Sequence, residues 1–325
     1  MPRSPRTLLV LLAAMLAVLG WAGVAQAHRA TIVGPSDSIQ AAVDAAAPGD
    51  TILVFGTHRE NVAIEKDGLT LRGVGAVIRP PATPAVHGCF DPTAVDEAVH
   101  GICVVGDVDF DTGEITRYVE DVTVSGFSIR GFPGFGLGAT AASGTLFKDN
   151  VMTNNRDAGL FAAQSLDTRM LSNDASGGRF GVLISVAVGG TVTANSLHDN
   201  CAGALLFSGA AEYRLAANRV NRNTRVCPAV TDEWPALSGS GVTVFAASSN
   251  TIVANLITGN LPAGDTEISG GVVVTGEPGF PSADNVVKGN VILRNDPDIF
   301  WDLGGTGNVF RDNLCRTSVP PDLCG

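Results

Sequence analysis

Charged, histidine and tryptophan side chains lie in or beside the segments that separate short apolar strands, and their types suggest carbohydrate chemistry. Paired carboxylates can act as acid and base on a glycosidic bond. An arginine next to a uronate can support proton abstraction beside its carboxyl group, and an indole can stack on a sugar ring. If the fold brings these side chains together, we expect them to line a carbohydrate groove. The alternative is that they lie separately in ordinary solvated turns. The candidates are Asp157, Asp174, Arg179, His198, Asp199, Arg222, Arg225 and Trp234.

A second candidate site is an acidic segment that could bind calcium. Alternating acids would put Asp107, Asp109 and Asp111 on one side of an extended segment, with Glu114 close behind. The spacing differs from that of an EF-hand because Gly113 comes one residue late, and Asp/Gly runs also occur in plain turns. Calcium is the one cofactor that the sequence suggests, since no nucleotide-binding fingerprint and no histidine pair at metal-binding spacing occurs.

Six cysteines point to disulfide bonds rather than to a metal site. An even number of cysteines is typical of disulfides in exported chains, and six allow fifteen pairings. None has the close CxxC spacing of a zinc site. Their clustering along the chain favours the pairs Cys89–Cys103, Cys201–Cys227 and Cys315–Cys324.

The elements that must position these residues follow an internal repeat. Segments of the form Asn-x-apolar-x-x-Asn begin at Asn150, Asn195, Asn218, Asn255 and Asn290, and Asn173 ends a partial copy as its second Asn. A glycine followed by an alternating apolar strand comes after each one. From Gly136 to Gly271 these glycines are 23, 22, 22, 38 and 30 residues apart. A unit of this length is typical of one solenoid coil whose short strands pair in parallel with the next coil.

The two repeated residue types have structural roles in this prediction. An asparagine can bond backbone groups at a tight bend, tolerates the left-handed conformation and can form ladders between stacked coils. The glycine would let the chain enter the strand at an angle that is otherwise forbidden. A short helix with Ser36-Asp37 as its N-cap, and with Ile39 and Val43 on one face, would cover the open apolar end.

The register also predicts where the loops leave the solenoid. They all follow the second corner and precede the glycine strand, so they should form a wall along one edge beside a strand face. Ordinary surface loops are the alternative to such a walled groove. The segments are 79–100, 156–158, 174–180, 224–240 and 261–270.

Motifs at both ends resemble a known family. Ser38-Ile-Gln-Ala-Ala-Val, Gly56-Thr-His-Arg-Glu60 and Gly68-Leu-Thr-Leu-Arg-Gly resemble the opening of pectin-lyase-like β-helix proteins, and Asp298-Ile-Phe-Trp-Asp302 resembles bacterial secreted β-helix repeat proteins. The resemblance implies an all-β, single-stranded right-handed parallel β-helix with an N-terminal capping helix, and the repeat predicts about eight or nine coils. It also implies that a groove of this shape commonly holds a polysaccharide. The catalytic motifs of polygalacturonases, mannuronan epimerases and pectate lyases have no counterpart here.

The N-terminus and the charge indicate an exported protein. Arg3 and Arg6, the apolar run Leu8–Gly20 and Ala25-Gln-Ala27 form a signal-peptide pattern, which assigns residues 1–27 to the signal and 28–325 to the β-helix domain. A formal charge of −11 disfavours nucleic acid and anionic membranes as partners. We therefore expect a monomer outside the cytoplasm, in the periplasm, in the cell wall or free, with no membrane contact after cleavage.

Three functions fit this pattern. The first is polysaccharide binding along the sheet face and loop wall without catalysis. The second is a diverged polysaccharide lyase, epimerase or hydrolase, and the third is a scaffold for another exported system. The missing catalytic motifs favour the first.

Overall fold

Three sets of parallel strands make up the fold, because the repeating unit of the chain supplies each set with a strand in turn. The computed structural model describes residues 28–91, 98–109, 112–230 and 235–324. The first set, face 1, contains Ala30–Val33, Thr51–Arg59, Thr70–Arg79, Thr123–Arg130, Leu146–Lys148, Leu166–Leu171, Val188–Thr193, Arg214–Ala216, Thr251–Val253, Val286–Lys288 and Val309–Arg311.

The second set, face 2, follows face 1 around a corner in each coil. It contains Val151–Thr153, Asp174–Ser176, Ser196–His198, Arg219–Asn221, Leu256–Thr258 and Val291–Leu293. Nearer the N-terminus the long strands continue from face 1 onto face 2, with register shifts at Phe55/Thr57 and Ser125/Phe127. Val119–Glu120 pairs with Ala142–Ser143 at the other border of face 1.

The third set, the Gly face, begins after the repeat glycines. Its described strands are Val62–Ile64, Ile102–Val105, Leu137–Thr140, Ala158–Ala163, Phe180–Ser185, Ala202–Phe207, Ser240–Phe245, Gly270–Thr275, Ile299–Trp301 and Ser318–Val319. Two antiparallel hairpins project from the coils, Phe90–Asp91 with Ala98–Val99 and Asp107–Val108 with Ile115–Arg117. The parallel β-helix prediction is confirmed.

The coil number is larger than the sequence pattern predicted. Among the described residues the Gly face has ten strands rather than eight or nine. Three of them, Val62–Ile64 at one end and Ile299–Trp301 and Ser318–Val319 at the other, carry no repeat glycine, so the glycine spacing alone does not mark them.

Alternate side chains of every face point into one shared core. On face 1 the inward positions of successive strands are all buried and apolar, so each coil packs on the equivalent side chain of the next. This column contains Val124, Phe147, Met170, Val192, Leu215, Ile252 and Val287.

Buried asparagines form continuous ladders at the corners. In each ladder the side-chain amide nitrogen donates to Oδ1 of the asparagine in the next coil, and that Oδ1 also accepts the backbone N–H of the same donor residue. The ladder between faces 1 and 2 contains Asn150, Asn173, Asn195, Asn218, Asn255, Asn290 and Asn313. A second ladder after face 2 contains Asn200, Asn223, Asn260 and Asn295, and a third before face 1 contains Asn250, Asn285 and Asn308.

The conformational role that we predicted for the asparagines was wrong in one respect. The residue before each ladder asparagine adopts the left-handed conformation, as in Ala194 (φ 55°) and Ala217 (φ 55°), while the ladder asparagines themselves do not. The preceding residue therefore makes the bend, and the asparagine is free to direct its amide between the coils.

The role predicted for the repeat glycines also needs correction. Gly181, Gly203 and Gly241 have no positive φ, so no forbidden strand angle requires them. Instead, a Cβ on Gly203 would lie 2.6 Å from the carbonyl oxygen of Gly241 in the next coil. These glycines are needed because neighbouring coils approach too closely for any side chain.

A short helix covers the N-terminal end of the core. It runs over Ile39–Ala45 and buries Ile39 and Val43, as predicted, but its N-cap is Ser38 rather than Ser36-Asp37. The Ser38 hydroxyl accepts the Ala41 N–H three residues on, the geometry that a cap requires. Among the described residues no helix is long and apolar enough to cross a membrane.

Candidate functional site

The outer surface of the Gly face carries an apolar cluster that is separate from the core. Leu183 and Leu205 occupy equivalent outward positions on adjacent strands, yet each is only 8% exposed because loops cover them. Phe207 and Phe245 pair in the same way at the ends of their strands. The remaining members are Ala158, Phe180 and Ala202, with Phe135, Phe161 and Leu237 packed against them.

Aromatic rings stack along this surface from coil to coil. The rings of His100 and Phe135 are 3.6 Å apart between centroids, and those of Phe135 and Phe161 are 4.7 Å apart. Further along, the Phe207 and Phe245 rings stack at 5.5 Å. In the coil after Phe245 the equivalent position holds Thr275, so the aromatic column ends there.

The loops that follow the second corner form a wall beside this surface, as the register predicted. The disulfide Cys201–Cys227 fastens the loop after Asn223 to the coil, and Cys227 exchanges two backbone hydrogen bonds of 2.9 Å with Leu237. Ala263 donates to the Ser238 hydroxyl and so links the next loop to the first. The other predicted pairs, Cys89–Cys103 and Cys315–Cys324, are also present, so the disulfide prediction is confirmed.

Arg179 holds the wall against the Gly face. It is 8% exposed, and its guanidinium donates to the backbone carbonyls of Pro228, at 2.9 Å, and Pro235. The guanidinium also lies 5.8 Å from the centre of the Phe180 ring. Burial lowers the pKa of Arg179, and the nearby Asp157 carboxylate opposes that effect.

A cleft of about 520 Å³ opens between the wall and the Gly face. Its floor comes from three consecutive strands and includes Phe180, Ala202, Leu205, Phe207, Thr243 and Phe245. Its rim comes from loops and includes Arg179, Pro235, Leu237, Glu267, Ile268, Glu277 and Phe280. A mostly apolar pocket with a few polar groups is the usual form of a small-ligand site.

The structure divides the predicted groove residues among several places. Arg179 lines the cleft and Asp157 lies near it, whereas Arg225 is exposed on the wall loop. Trp234 lies outside the described residues. Asp174 was predicted to lie in a loop, but it begins a strand of face 2. The reason is that Asn173, which we took as a second-corner asparagine, belongs to the first ladder.

Four of the predicted residues meet on face 2, around the corner from the cleft. The ring nitrogens of His198 face two carboxylates, with Nδ1 2.6 Å from Asp199 Oδ2 and Nε2 3.2 Å from Asp174 Oδ1. Arg222 forms two hydrogen bonds to Asp199, of 3.1 and 3.3 Å. An ionised carboxylate can accept a hydrogen bond but cannot donate one. Both ring nitrogens of His198 must therefore carry a proton, as in the imidazolium form, for both contacts to be hydrogen bonds.

Folding lowers the pKa of the Asp199 carboxyl group. Partial burial would raise its pKa, but hydrogen bonds from Arg222 and His198 outweigh burial and hold the pKa below the usual value. The same hydrogen bond raises the pKa of Arg222.

A pH dependence of stability follows from this lowered pKa. The ionised Asp199 carboxylate stabilises the folded protein at pH values above the unfolded pKa of about 3.9. This stabilisation is lost as the pH falls through the lower pKa of the folded state. We therefore expect Asp199→Asn to be less stable than the wild type near pH 7, with a difference that shrinks below about pH 4, measured by urea unfolding at several pH values. Asp284→Asn is the control, because Asp284 also precedes a ladder asparagine in the left-handed conformation. The same change at both positions would contradict the role of the cluster.

The predicted calcium segment forms a hairpin with internal contacts. Asp107 pairs with Arg117 at 3.0 Å, and Oδ1 of Asp109 accepts the Thr112 N–H. Glu114 also belongs to this hairpin, while Asp111 lies outside the described residues. Within the part of the chain that the structure describes, no group of three or more His, Cys, Asp or Glu side chains is arranged to hold a metal ion. Calcium binding stays a prediction without structural support.

Several cleft residues were missed from the sequence. Glu267, Glu277 and Phe280 lie in loops that carry no repeat signature. Phe207 and Phe245 could have been found, because both end the glycine strand at an outward position in consecutive copies of the repeat.

Comparisons with known proteins agree with the described topology. Residues 100–224 match the family model of the right handed beta helix region. No curated protein matches the sequence. The chain is similar in structure to an alginate lyase from Paenibacillus sp. str. FPU-7, with 12% identity, 89% of this chain and 99% of that chain covered, and a TM-score of 0.58.

Two further solved structures show the same likeness. Pectate lyase Pel9A shares 15% identity, with 89% of this chain and 78% of that chain covered and a TM-score of 0.56. A DFA-IIIase from Arthrobacter chlorophenolicus A6, solved with DFA-III, shares 14% identity, with 82% and 74% covered and a TM-score of 0.52. The stacked parallel strands, the match to the right handed beta helix region and these structures together show that the chain has the right-handed parallel β-helix fold.

Proposed function

We propose that the protein binds polysaccharide in the cleft on the Gly face. The observation that carries this proposal is the apolar, aromatic floor between loop walls that bear polar groups. Three strands spaced by about 4.8 Å give a floor about 10 Å long, which suits a short run of sugar units. Sugar rings have apolar C–H faces and hydroxyl edges, so they fit an apolar floor with a polar rim.

The comparisons support this proposal only through the fold. A pectate lyase and an alginate lyase have similar structures, and their names refer to polysaccharides. Their low identity gives no information about which residues of this chain bind a ligand. The support for a particular site therefore comes from the cleft itself.

Truncation of the cleft floor tests the proposal. We expect Phe245→Ala to weaken binding about tenfold or more, because Phe245 supplies apolar contact area that the ligand would cover. Affinity electrophoresis through gels containing single polysaccharides, acidic and neutral, measures the change.

Leu256→Ala is the matched control for this test, since Leu256 is an exposed apolar side chain on face 2, away from the cleft. Retention that is lost equally in both variants, or in neither, would contradict binding in the cleft. Failure of every polysaccharide to retain the wild type would favour the third function, a scaffold for another exported system.

Polysaccharide cleavage is the second candidate. The observation that favours it is that Glu267 and Glu277 both line the cleft. Pairs of carboxyl groups catalyse the hydrolysis of glycosidic bonds in many enzymes. New reducing or unsaturated ends after incubation with a retained polysaccharide would establish cleavage. Loss of those ends in Glu267→Gln or Glu277→Gln would assign it to the cleft.

We also propose that the protein is exported after removal of residues 1–27, which lie outside the described residues. The three disulfides support this, because such bonds persist in oxidising compartments. Mass spectrometry of the secreted protein should give His28 as the first residue of the mature chain.

A further inference from the structure

We infer that the cleft binds an amino-sugar polysaccharide, one that carries ammonium groups, rather than a polyuronate. This inference rests on the proposed function, and it concerns the charge of the ligand. The charge that a ligand meets in the cleft depends on which ionisable groups are exposed there and which are already engaged by the protein.

The exposed ionisable groups of the described lining are carboxylates. Glu267 is exposed on the wall loop, and Glu277 is exposed on the loop after the strand Gly270–Thr275. Both side chains line the same cleft as the aromatic floor. A ligand that lies on this floor therefore meets negative charge at its edges.

The negative surface continues beyond Glu277. A neighbouring groove of about 360 Å³ shares Glu277 with the cleft and also contains Asp302. Asp302 is held in place, because its carboxylate accepts hydrogen bonds from Thr275 Oγ1, from the Gly276 N–H and from the Gly304 N–H. A chain that extends past the cleft in this direction would meet a further carboxylate.

The cationic group of the described lining is not available to a ligand carboxylate. Arg179 is buried, and its guanidinium donates to the carbonyls of Pro228 and Pro235. Its role is to fasten the wall, and binding a uronate would require it to give up those bonds. A polyuronate would therefore bring negative charge to Glu267 and Glu277, and the described lining offers no free cation to compensate it.

An ammonium group on the ligand satisfies both features of the site. The carboxylates at the rim would pair with it, while the sugar rings cover Leu205, Phe207 and Phe245. Aromatic faces also attract cations that lie near them. The formal charge of −11 adds a long-range attraction for polycations.

Isothermal titration of the mature protein with three tetrasaccharides tests the inference. The probes are a β-linked glucosamine tetramer, its fully N-acetylated form and a galacturonate tetramer. We expect the glucosamine tetramer to bind about five- to tenfold more tightly than the N-acetylated form, as one or two partly exposed ion pairs would give. Added salt should remove this advantage, because it screens exposed charges, and the galacturonate tetramer should bind most weakly.

A charge-neutral variant links the preference to the rim. Glu267→Gln combined with Glu277→Gln should remove the preference, so that the glucosamine and N-acetylated tetramers bind with equal affinity. The control is Glu65→Gln, an exposed glutamate beside the first strand of the Gly face and outside the cleft lining, which should keep the preference.

The outcomes separate this inference from the proposed function. Equal binding of the glucosamine and N-acetylated tetramers, or tighter binding of the galacturonate tetramer, would overturn the amino-sugar inference and leave polysaccharide binding intact. A preference for glucosamine that survives in the double variant would also overturn it. Binding of none of the three would overturn the inference, and the gel retention assay with Phe245→Ala would then decide the proposed function separately.

Discussion

Replacement of Asn218 by alanine is expected to lower the free energy of unfolding by about 3–5 kcal/mol, at about 1–3 kcal/mol for each buried group left without a partner. Oδ1 of Asn218 accepts the backbone N–H and the side-chain amide of Asn195, at 2.9 and 3.0 Å. Its own amide donates to the carbonyl of Val192 and to Asn255. Alanine removes all four bonds from the middle of a buried ladder.

Urea unfolding followed by far-UV circular dichroism measures this effect, and Asn154→Ala is the matched control. Asn154 is an exposed asparagine in the left-handed position, where Ala194 and Ala217 show that alanine is accepted. We expect the control to lose less than about 1 kcal/mol. A similar loss in both variants would mean that the ladder bonds add little to stability.

Asn218→Asp makes the same ladder sensitive to pH. One oxygen of the aspartate carboxylate can still accept the two bonds from Asn195. The other oxygen would face Val192 O and Asn255 Oδ1, to which the asparagine amide donates in the wild type. Burial beside two oxygens would raise the pKa of this new carboxyl group above its unfolded value of about 3.9. Stability is then lost as the pH rises above the unfolded value, so this variant should be more stable at pH 3.5 relative to the wild type than at pH 7. A constant difference would contradict this account.

Gly203→Ala is expected to destabilise the solenoid by about 3 kcal/mol, the upper part of the range for overpacking. The new methyl group would lie 2.3 Å from Val220 Cγ1 and 2.6 Å from the carbonyl oxygen of Gly241. The valine side chain can rotate, but the carbonyl belongs to the paired backbone of the next coil and can move only if the strand pairing is disturbed.

The control for this substitution is Gly259→Ala, measured by the same unfolding experiment. Gly259 has a φ of 68°, and a Cβ there would meet no atom within 4 Å. Alanine already occupies the left-handed position before the ladder asparagine of the first corner, at residue 254, so we expect a loss of about 1 kcal/mol, the lower end of the cost of this conformation. Equal losses at residues 203 and 259 would show that conformation, and not close approach, explains the repeat glycines.

The fold could be predicted from the sequence because its signals are local and repeated. Each coil restates the same corner asparagine, apolar alternation and glycine, so an error in one coil is corrected by the others. The disulfides followed from clustering, since Cys201 and Cys227 stand at the same corner of consecutive coils. The number of coils was underestimated where the end coils lose these signals.

The candidate site was harder to predict because it depends on which face of the solenoid each side chain lies on, and the residue type does not specify the face. His198 and Arg179 are only 19 residues apart, yet they lie on different faces, because the chain turns two corners between the strand that follows Arg179 and the strand that ends at His198. The misassignment of Asn173 moved Asp174 from a strand into a loop. Glu267 and Glu277 come from irregular loops, whose paths no period in the sequence specifies.

The unequal lengths of the wall segments have an evolutionary consequence. Between the second corner and the Gly face the chain uses only residues 156–157 in one coil and residues 224–239 in another, and the strand register is kept in both. Insertions and deletions at this border therefore change the walls of the proposed binding cleft without disturbing the packed coils. Selection can alter recognition and preserve folding almost independently, so new binding preferences can arise in such a chain from changes in segment length alone.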